Sequence, residues 1–195
     1  MKRLFDIVLS FLGLVVLSPV MLVVYFLVKK RLGSPVFFKQ LRPGLQGKPF
    51  EMIKFRTMLD AVDSSGNPLP DNLRMTKFGS FLRSSSLDEL PGLWNVLKGD
   101  MSLVGPRPEV RHYVDYWTPE QMHVLDVQPG ITDPASIKFR NENELMEKAE
   151  NPEDYYIHVI MQEKIKLYLE YVEKHSFWYD IMLIFKTFKV IMTER

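Results

Sequence analysis

The first thirty residues divide into a basic edge, a long apolar stretch and a second basic edge. Between Arg3 and Lys29 the only charge is Asp6, and residues 7–28 form an uncharged run of 22. As one helix this run is about 33 Å long, enough to cover a bilayer core of about 30 Å. Downstream the pattern shortens. Residues 35–40 and 49–56 read as short strands on either side of turn chemistry at residues 42–48, which predicts a small β-hairpin. A polar loop over residues 60–71 follows. Residues 73–83 read as a short basic amphipathic helix, interrupted or ended near Gly79. Lys98-Gly99-Asp100 reads as a helix end and turn. Residues 153–174, with Pro152 near their start, carry Tyr156, Ile157, Ile160, Ile165, Leu169 and Val172 at helical spacing and predict a long helix. Residues 177–192 form another apolar stretch, with Trp178-Tyr179, Lys186 and Lys189. It fits a core helix or one lying at a membrane interface. The expected fold class is α+β, mostly helical.

The apolar run allows three readings. A secretory signal peptide fits poorly, because the run is long and no small-x-small cleavage site follows it. A proline-kinked single span is common in membrane proteins. A re-entrant helix is favoured by two features. Ser18-Pro19 sits mid-run, where proline removes a backbone hydrogen bond and the serine hydroxyl can bond back to a carbonyl one turn earlier. Both flanks are also basic, Lys2-Arg3 and Lys29-Lys30-Arg31, whereas a span wants charge asymmetry. On these grounds span and re-entrant helix stand level.

Composition narrows the field. A chain of 195 residues allows one domain of ordinary size, and 46% hydrophobic residues exclude a disordered protein. The absence of cysteine excludes a disulfide scaffold and thiolate metal sites. The net charge of +1 conceals an imbalance. Residues 1–50 hold eight basic groups against one acid, a net +7, so the remainder carries −6. That asymmetry suggests one end facing an anionic surface.

The chemistry is densest over residues 83–109. Asp88 and Glu89 are adjacent carboxylates, and helix capping with Ser85 or Ser86 as N-cap is the structural alternative for them. Pro106-Arg107-Pro108 fixes one guanidinium between two residues of locked φ, and a guanidinium so held suits phosphate. With Lys54, Arg56 and Arg83 there are up to four cations for one carboxylate pair, a set that describes a phosphorylated ligand with a divalent metal. Surface binding to anionic lipid is the competing role for Lys54 and Arg83. His112, His123, His158 and His175 lack metal-ligand spacing.

The chain resembles the bacterial sugar transferase family, the small monotopic phosphoglycosyl transferases. The resemblance covers nearly the whole chain. It rests on the apolar run with Ser18-Pro19, on Arg42-Pro43-Gly44 and on Lys54-Phe55-Arg56-Thr57-Met58. It continues through Ser86-Leu87-Asp88-Glu89-Leu90-Pro91, the stretch from Leu93 to Ser102, Val104-Gly105-Pro106-Arg107-Pro108 and Pro129-Gly130-Ile131-Thr132. The resemblance implies a monotopic protein of the bacterial inner membrane, cytoplasmic face, with residues 1–31 as a re-entrant helix broken at Ser18-Pro19 and residues 32–195 as the catalytic domain. It implies transfer of a sugar-1-phosphate from a UDP-sugar to a polyprenol (undecaprenyl) phosphate with release of UMP, the first membrane step towards an exopolysaccharide, lipopolysaccharide or other glycoconjugate. Asp88 is the implied nucleophile, forming an aspartyl-phosphosugar intermediate, and the implied ligand of Mg²⁺. Glu89 is implied as base or metal ligand, Arg107 with its flanking Pro106 and Pro108 as phosphate binder, and Lys54 and Arg83 as substrate-site cations. Arg56 is a weaker member of that set. Partners are the two substrates and membrane lipids, with no nucleic acid.

The sequence departs from the family in two places. After Thr132 many members read Gly-Trp-Ala-Gln-Val-Asn-Gly-Arg, where this chain has Asp133-Pro134-Ala135-Ser136-Ile137-Lys138-Phe139-Arg140. An acidic residue common before Tyr171 is Tyr168 here. These changes bear on nucleotide or sugar contacts and leave the sugar open. The chain begins close to its membrane helix, so the form without an extra N-terminal membrane domain is expected. Two other functions remain: a catalytically idle membrane-bound scaffold, and a metal-dependent nucleotide-sugar diphosphate hydrolase.

Overall fold

The uncharged run lies inside one helix, α1 (Lys2–Arg31), in the computed structural model, which describes residues 1–140, 142–147 and 149–193. At 30 residues α1 is about 45 Å long. Pro19 lies within it, and the Ser18 hydroxyl donates to the Val15 carbonyl at 2.7 Å. That bond supplies a local partner beside the imide nitrogen that cannot donate. It is the one helix among the described residues long and apolar enough to cross a membrane.

Both ends of α1 are fastened to the rest of the chain. Lys2 donates to the Val104 carbonyl at 2.9 Å and pairs with buried Asp180. Arg3 donates to the carbonyls of Val96 and Leu97 at 2.6 and 2.9 Å. Asp6, 2% exposed, accepts from the Ser102 hydroxyl at 2.9 Å and the Leu103 amide at 3.2 Å. At the far end Val24, Val28 and Leu32 join Val36, Phe55 and Leu82 in a buried cluster. Between these ties large apolar side chains from Leu4 to Phe26 are exposed along the helix.

The expected hairpin is formed by β1 (Phe37–Pro43) and β2 (Pro49–Phe55), antiparallel, with Phe37 opposite Phe55 and Pro43 opposite Pro49. Phe50 and Met52 point to the core, where they meet Val96 and Met101. The single basic helix expected over residues 73–83 is instead two, α2 (Asp71–Arg74) and α3 (Lys77–Ser84). Thr76 separates them and caps α3, accepting from the Gly79 amide at 3.0 Å. Gly79 does not break the helix. It lies where an added Cβ would sit 1.8 Å from the Thr57 carbonyl oxygen, so glycine permits a backbone contact that no other residue allows.

A 3₁₀ turn at Leu87–Glu89 leads to α4 (Gly92–Lys98), which ends as expected at Gly99 in the left-handed region. Next comes β3 (Ser102–Val104), then α5 (Arg111–Val114), and β3 pairs in parallel with β4 (Gly130–Thr132). Beyond this pair the Gly105 and Gly130 backbones cross so closely that a Cβ on Gly130 would stand 2.1 Å from the Gly105 nitrogen. The Asp133 departure is a helix start. Asp133 caps α6 (Pro134–Lys138) by accepting from the Ala135 and Ser136 amides at 2.7 and 2.8 Å, with Pro134 at the first turn.

The segment α7 (Glu142–Glu147) follows. The long helix expected over residues 153–174 comprises α8 (Pro152–Tyr155), a π-helical turn at Tyr156–Ile160, and α9 (Met161–Lys174). Tyr156, Ile160, Met161, Ile165 and Tyr168 form the largest buried cluster with Val124 and Ala135. The C-terminal α10 (Phe177–Thr193) buries Asp180 and Leu183 while Trp178, Phe185 and Phe188 stay exposed.

Asp6→Ala leaves the Ser102 hydroxyl and Leu103 amide without their acceptor. A destabilisation of about 1–3 kcal/mol is expected, read as a lowered midpoint of thermal unfolding in detergent micelles. An unchanged midpoint would show that the tie contributes nothing.

Candidate active site

Three segments that are distant in sequence meet at Glu89. Lys54, near the end of β2, donates to Glu89 Oε1 at 2.8 Å. Arg107, in the loop after β3, makes a two-pronged contact with the same carboxylate, Nη1 to Oε2 at 3.3 Å and Nη2 to Oε1. Ser86 adopts φ of 56°, a left-handed conformation uncommon for serine, which turns the chain from α3 into the 3₁₀ turn carrying both acids. Ser86 takes the expected N-cap position, with both acids in the first turn, but the side-chain bond of a cap is missing. The Ser85 hydroxyl donates back to Phe81. Glu89 is held by the Lys54 and Arg107 side chains rather than by the turn alone.

The two acids are held unequally. Burial disfavours charge on Glu89, but Arg107 and Lys54 outweigh it and keep its carboxyl well below the usual range. Glu89 in turn holds the Arg107 guanidinium above its ordinary value, against burial. Burial, then Arg107, lower Lys54, and Glu89 opposes them. Asp88 is 7% exposed and makes no hydrogen bond among the described residues. Burial pushes its carboxyl up to about 6, the Glu89 charge adds to this, and Lys54, Arg107 and Arg83 pull in the opposite direction. An uncommitted, desolvated carboxylate beside a clamped one is the pattern of a site that divides two roles between two acids.

The other expected residues fall around this centre. Arg83 bonds through Nε to the Thr57 hydroxyl at 3.1 Å and acts on Asp88 through its charge. The Pro106 carbonyl accepts from the Gly130 amide at 2.9 Å, which fixes the Pro-Arg-Pro loop against β4. A narrow cleft beside Glu89 is lined by Lys54, Gly92, Arg107, Pro108 and Ile131. Arg56 does not join this cluster. It is buried and donates to the Leu32 carbonyl at 3.0 Å, closing the C-terminal end of α1. The four histidines each face a single acid or a backbone carbonyl: Glu153 for His112, Asp126 for His123, Asp154 for His158 and the Val172 carbonyl for His175.

The two departures meet at Arg107. Asp133 and Tyr168 are both buried close to its guanidinium, and burial keeps the Tyr168 phenol neutral. Asp133 thus supplies a carboxylate near the arginine in a chain that has tyrosine at position 168.

Sequence reasoning missed a second cavity on the other side of the Pro-Arg-Pro loop. Arg107 and Pro108 line it together with Arg42, Glu109, Tyr113, Glu142, Tyr156 and Lys164. Glu109 directly follows Pro108 and Arg42 lies in the Arg-Pro-Gly motif, so those two were available as signals. Glu142 and Lys164 carry none.

The chain matches the model of the bacterial sugar transferase family over residues 1–194. It is 44% identical to an uncharacterized sugar transferase, EpsL, of Bacillus subtilis, covering all of this chain and 89% of that protein. It is 41% identical to a UDP-glucose:undecaprenyl-phosphate glucose-1-phosphate transferase of Klebsiella pneumoniae, covering 95% of this chain but 39% of that protein. It is 34% identical to a UDP-N-acetylgalactosamine-undecaprenyl-phosphate N-acetylgalactosaminephosphotransferase of Aeromonas hydrophila, covering 98% of this chain and 44% of that protein. The chain therefore spans about two fifths of the length of these last two relatives. The chain belongs to the bacterial sugar transferase family.

The raised Asp88 value carries a stability consequence. Below about pH 3 the group is neutral whether the chain is folded or unfolded. Above about 6 it is charged in both, and only the folded state bears the desolvation. Its contribution to stability is therefore fully present in acid and lost as pH rises from 3.8 towards about 6. The difference corresponds to at most about 3 kcal/mol. Asp88→Asn is expected to raise the melting temperature in EDTA at about pH 8, with the gain falling to about a third near pH 4.5. An equal effect at both pH values would remove burial as the cause.

Proposed function

We propose that this chain transfers a sugar-1-phosphate from a UDP-sugar to a polyprenol phosphate, with UMP released, through a covalent intermediate on Asp88. The unequal holding of Asp88 and Glu89 is the observation that carries this reading. Relatives named for undecaprenyl-phosphate sugar-phosphate transfer support the substrate classes.

A carboxylate oxygen of Asp88 attacks the β-phosphorus of the donor. The bond from that phosphorus to the bridging oxygen breaks, and UMP departs with the oxygen and its electron pair. An oxygen of polyprenol phosphate then attacks the same phosphorus. The acyl-phosphate bond breaks, Asp88 returns as a carboxylate, and the polyprenol diphosphate sugar leaves. A covalent intermediate lets one site handle a soluble donor and a lipid acceptor in turn.

Attack by an anion on an anionic diphosphate needs fixed positive charge. Lys54 and Arg107 supply it, and Glu89 orients both. A carboxylate held so far below its usual range is a weak base. A phosphate monoester has its second pKa near about 6 and is mostly dianionic at neutral pH. Positioning the cations therefore fits Glu89 better than the role of base.

Mg²⁺ fits this donor set. The ion commonly takes one or two carboxylates and fills its other positions with substrate phosphate oxygens and water. Asp88, free of hydrogen bonds, is the carboxylate available to hold it, and among the described residues no cluster of three metal-binding side chains offers a cage. When bound, the ion neutralises charge on the diphosphate oxygens.

The attachment of both ends of α1 to one body supports a re-entrant helix over a span, because a span would place its two ends on opposite sides of the bilayer. Residues 1–31 then form the membrane unit and residues 32–195 the catalytic unit, on the cytoplasmic face of the inner membrane. Exposed Trp178, Phe185 and Phe188 beside Lys186 and Lys189 favour the interfacial role for α10.

Incubation of the protein in vesicles with Mg²⁺ and a sugar-labelled UDP-sugar should trap label on the protein. UMP release should then require polyprenol phosphate for turnover. Asp88→Asn should abolish both, and a labelled Asp88→Asn adduct would remove Asp88 as nucleophile. Release of free sugar-1-phosphate without lipid product would mark a hydrolase, and no UMP release with any UDP-sugar an idle scaffold. Cysteines placed near Met1 and near Ser34 should be labelled from the same face of the membrane. Labelling from opposite faces would overturn the re-entrant reading.

A further inference from the structure

The second cavity has a volume of about 230 Å³ and shares Arg107 and Pro108 with the catalytic cleft. That is below the roughly 300 Å³ at which pockets for drug-sized ligands begin, so it suits one part of a nucleotide sugar rather than the whole.

Its charges cancel. Arg42 stands 3.7 Å from Glu109, and Lys164 donates to Glu142 at 3.0 Å. Tyr156 donates its hydroxyl to Glu109. Arg42 and Lys164 are thus matched by two carboxylates, and the third cation of the wall, Arg107, is engaged by Glu89. What they leave is hydrogen-bonding capacity. One oxygen of Glu142 has no partner among the described residues, and Lys164 offers three donors of which Glu142 and Tyr156 engage two. Arg42 Nε, buried, is also without a partner.

The apolar part of the wall is aromatic. The rings of Tyr113 and Tyr156 lie 4.8 Å apart at 54°. Tyr156 opens the π-helical turn, an energetically poor geometry that recurs at functional sites.

We propose that this cavity holds the glycosyl unit of the donor and selects among sugars, with Glu142, Lys164 and Tyr113 as the discriminating side chains. The inference rests on the transferase reading above. A pyranose presents several hydroxyls, each both donor and acceptor, to the carboxylate and ammonium, and an apolar ring face to a tyrosine. Uracil offers one N–H donor against two carbonyl acceptors and matches an acid-bearing wall less well. The position also fits, because the sugar is bonded to the phosphorus that Asp88 attacks and must lie next to Arg107.

The test uses the full chain in vesicles with polyprenol phosphate and Mg²⁺. UMP release is measured for UDP-glucose, UDP-galactose, UDP-N-acetylglucosamine and UDP-N-acetylgalactosamine. The variants are Glu142→Gln and the paired Glu142→Gln/Lys164→Gln, which leaves the net charge of the cavity unchanged and guards against loss of folding. The expected result is a rise in KM of about tenfold or more for the preferred donor and a changed ranking among the four sugars. The inhibition constant for UMP should stay within about twofold. A parallel weakening of UMP inhibition would make this the nucleoside site and overturn the proposal, as would an unchanged KM and ranking in both variants. A wild-type chain that releases no UMP from any donor would sink the transferase reading and this inference with it. An active wild type with indifferent variants would sink the sugar site alone.

Discussion

One carboxylate shared by two cations sets the geometry of the centre. Glu89 is brought by a 3₁₀ turn, Lys54 by the second strand of a hairpin and Arg107 by the loop after β3. Burying a charge is unfavourable unless it is paired and hydrogen-bonded, so these segments reach low energy only together. The adjacent acid gets no such share. The cations are already engaged with Glu89, and Asp88 is left desolvated with its affinity for protons raised. One interaction thus accounts for both the fixed placement of the two cations and the raised proton affinity of Asp88.

The membrane helix is part of this arrangement. Lys2 grips the Val104 carbonyl and Asp6 grips Ser102 and Leu103, so the first two turns of α1 hold all three residues of β3. Only Gly105 and Pro106 separate β3 from Arg107. The close crossing of Gly105 and Gly130 locks the same loop from the other side. The placement of α1 and the placement of Arg107 are therefore mechanically connected through one short strand.

Local patterns were legible in the sequence and non-local ones were not. The hairpin announced itself through two short apolar runs around a Pro-Gly turn, and Gly99 ended a helix where its neighbours suggested. The β3–β4 pair escaped notice because each strand has three residues and the partners lie 28 positions apart. Gly79 was read as a helix breaker because glycine is a poor helix former, yet its role is set by the Thr57 carbonyl, a contact that only the folded chain reveals. The acids and the Pro-Arg-Pro loop were legible as chemistry, but their unequal roles were not, since these depend on which carboxylate the cations reach. Glu142 and Lys164 lie 22 residues apart and meet only through packing around the π-helical turn.

The basic N-terminal end needs a different reading from the one that charge counting gives. Of its eight cations, Lys2, Arg3 and Arg42 are engaged by buried or half-buried partners inside the protein, and Lys39 pairs across the hairpin with Glu51. Lys29, Lys30 and Lys48 are exposed, and Arg31 lies over the Phe78 ring at 5.0 Å. The Lys2-Arg3 flank, which in sequence looked like an anchor for anionic headgroups, is largely a structural tie. The argument from two basic flanks therefore loses one of them. What replaces it is stronger in kind: a helix whose two ends both pack on one body has its topology limited by tertiary contacts, whatever the charge on its flanks. Headgroup attraction then falls to Lys29 and Lys30 at one end of the exposed apolar face, and in the adjoining C-terminal helix to Lys186 and Lys189 beside Phe185 and Phe188.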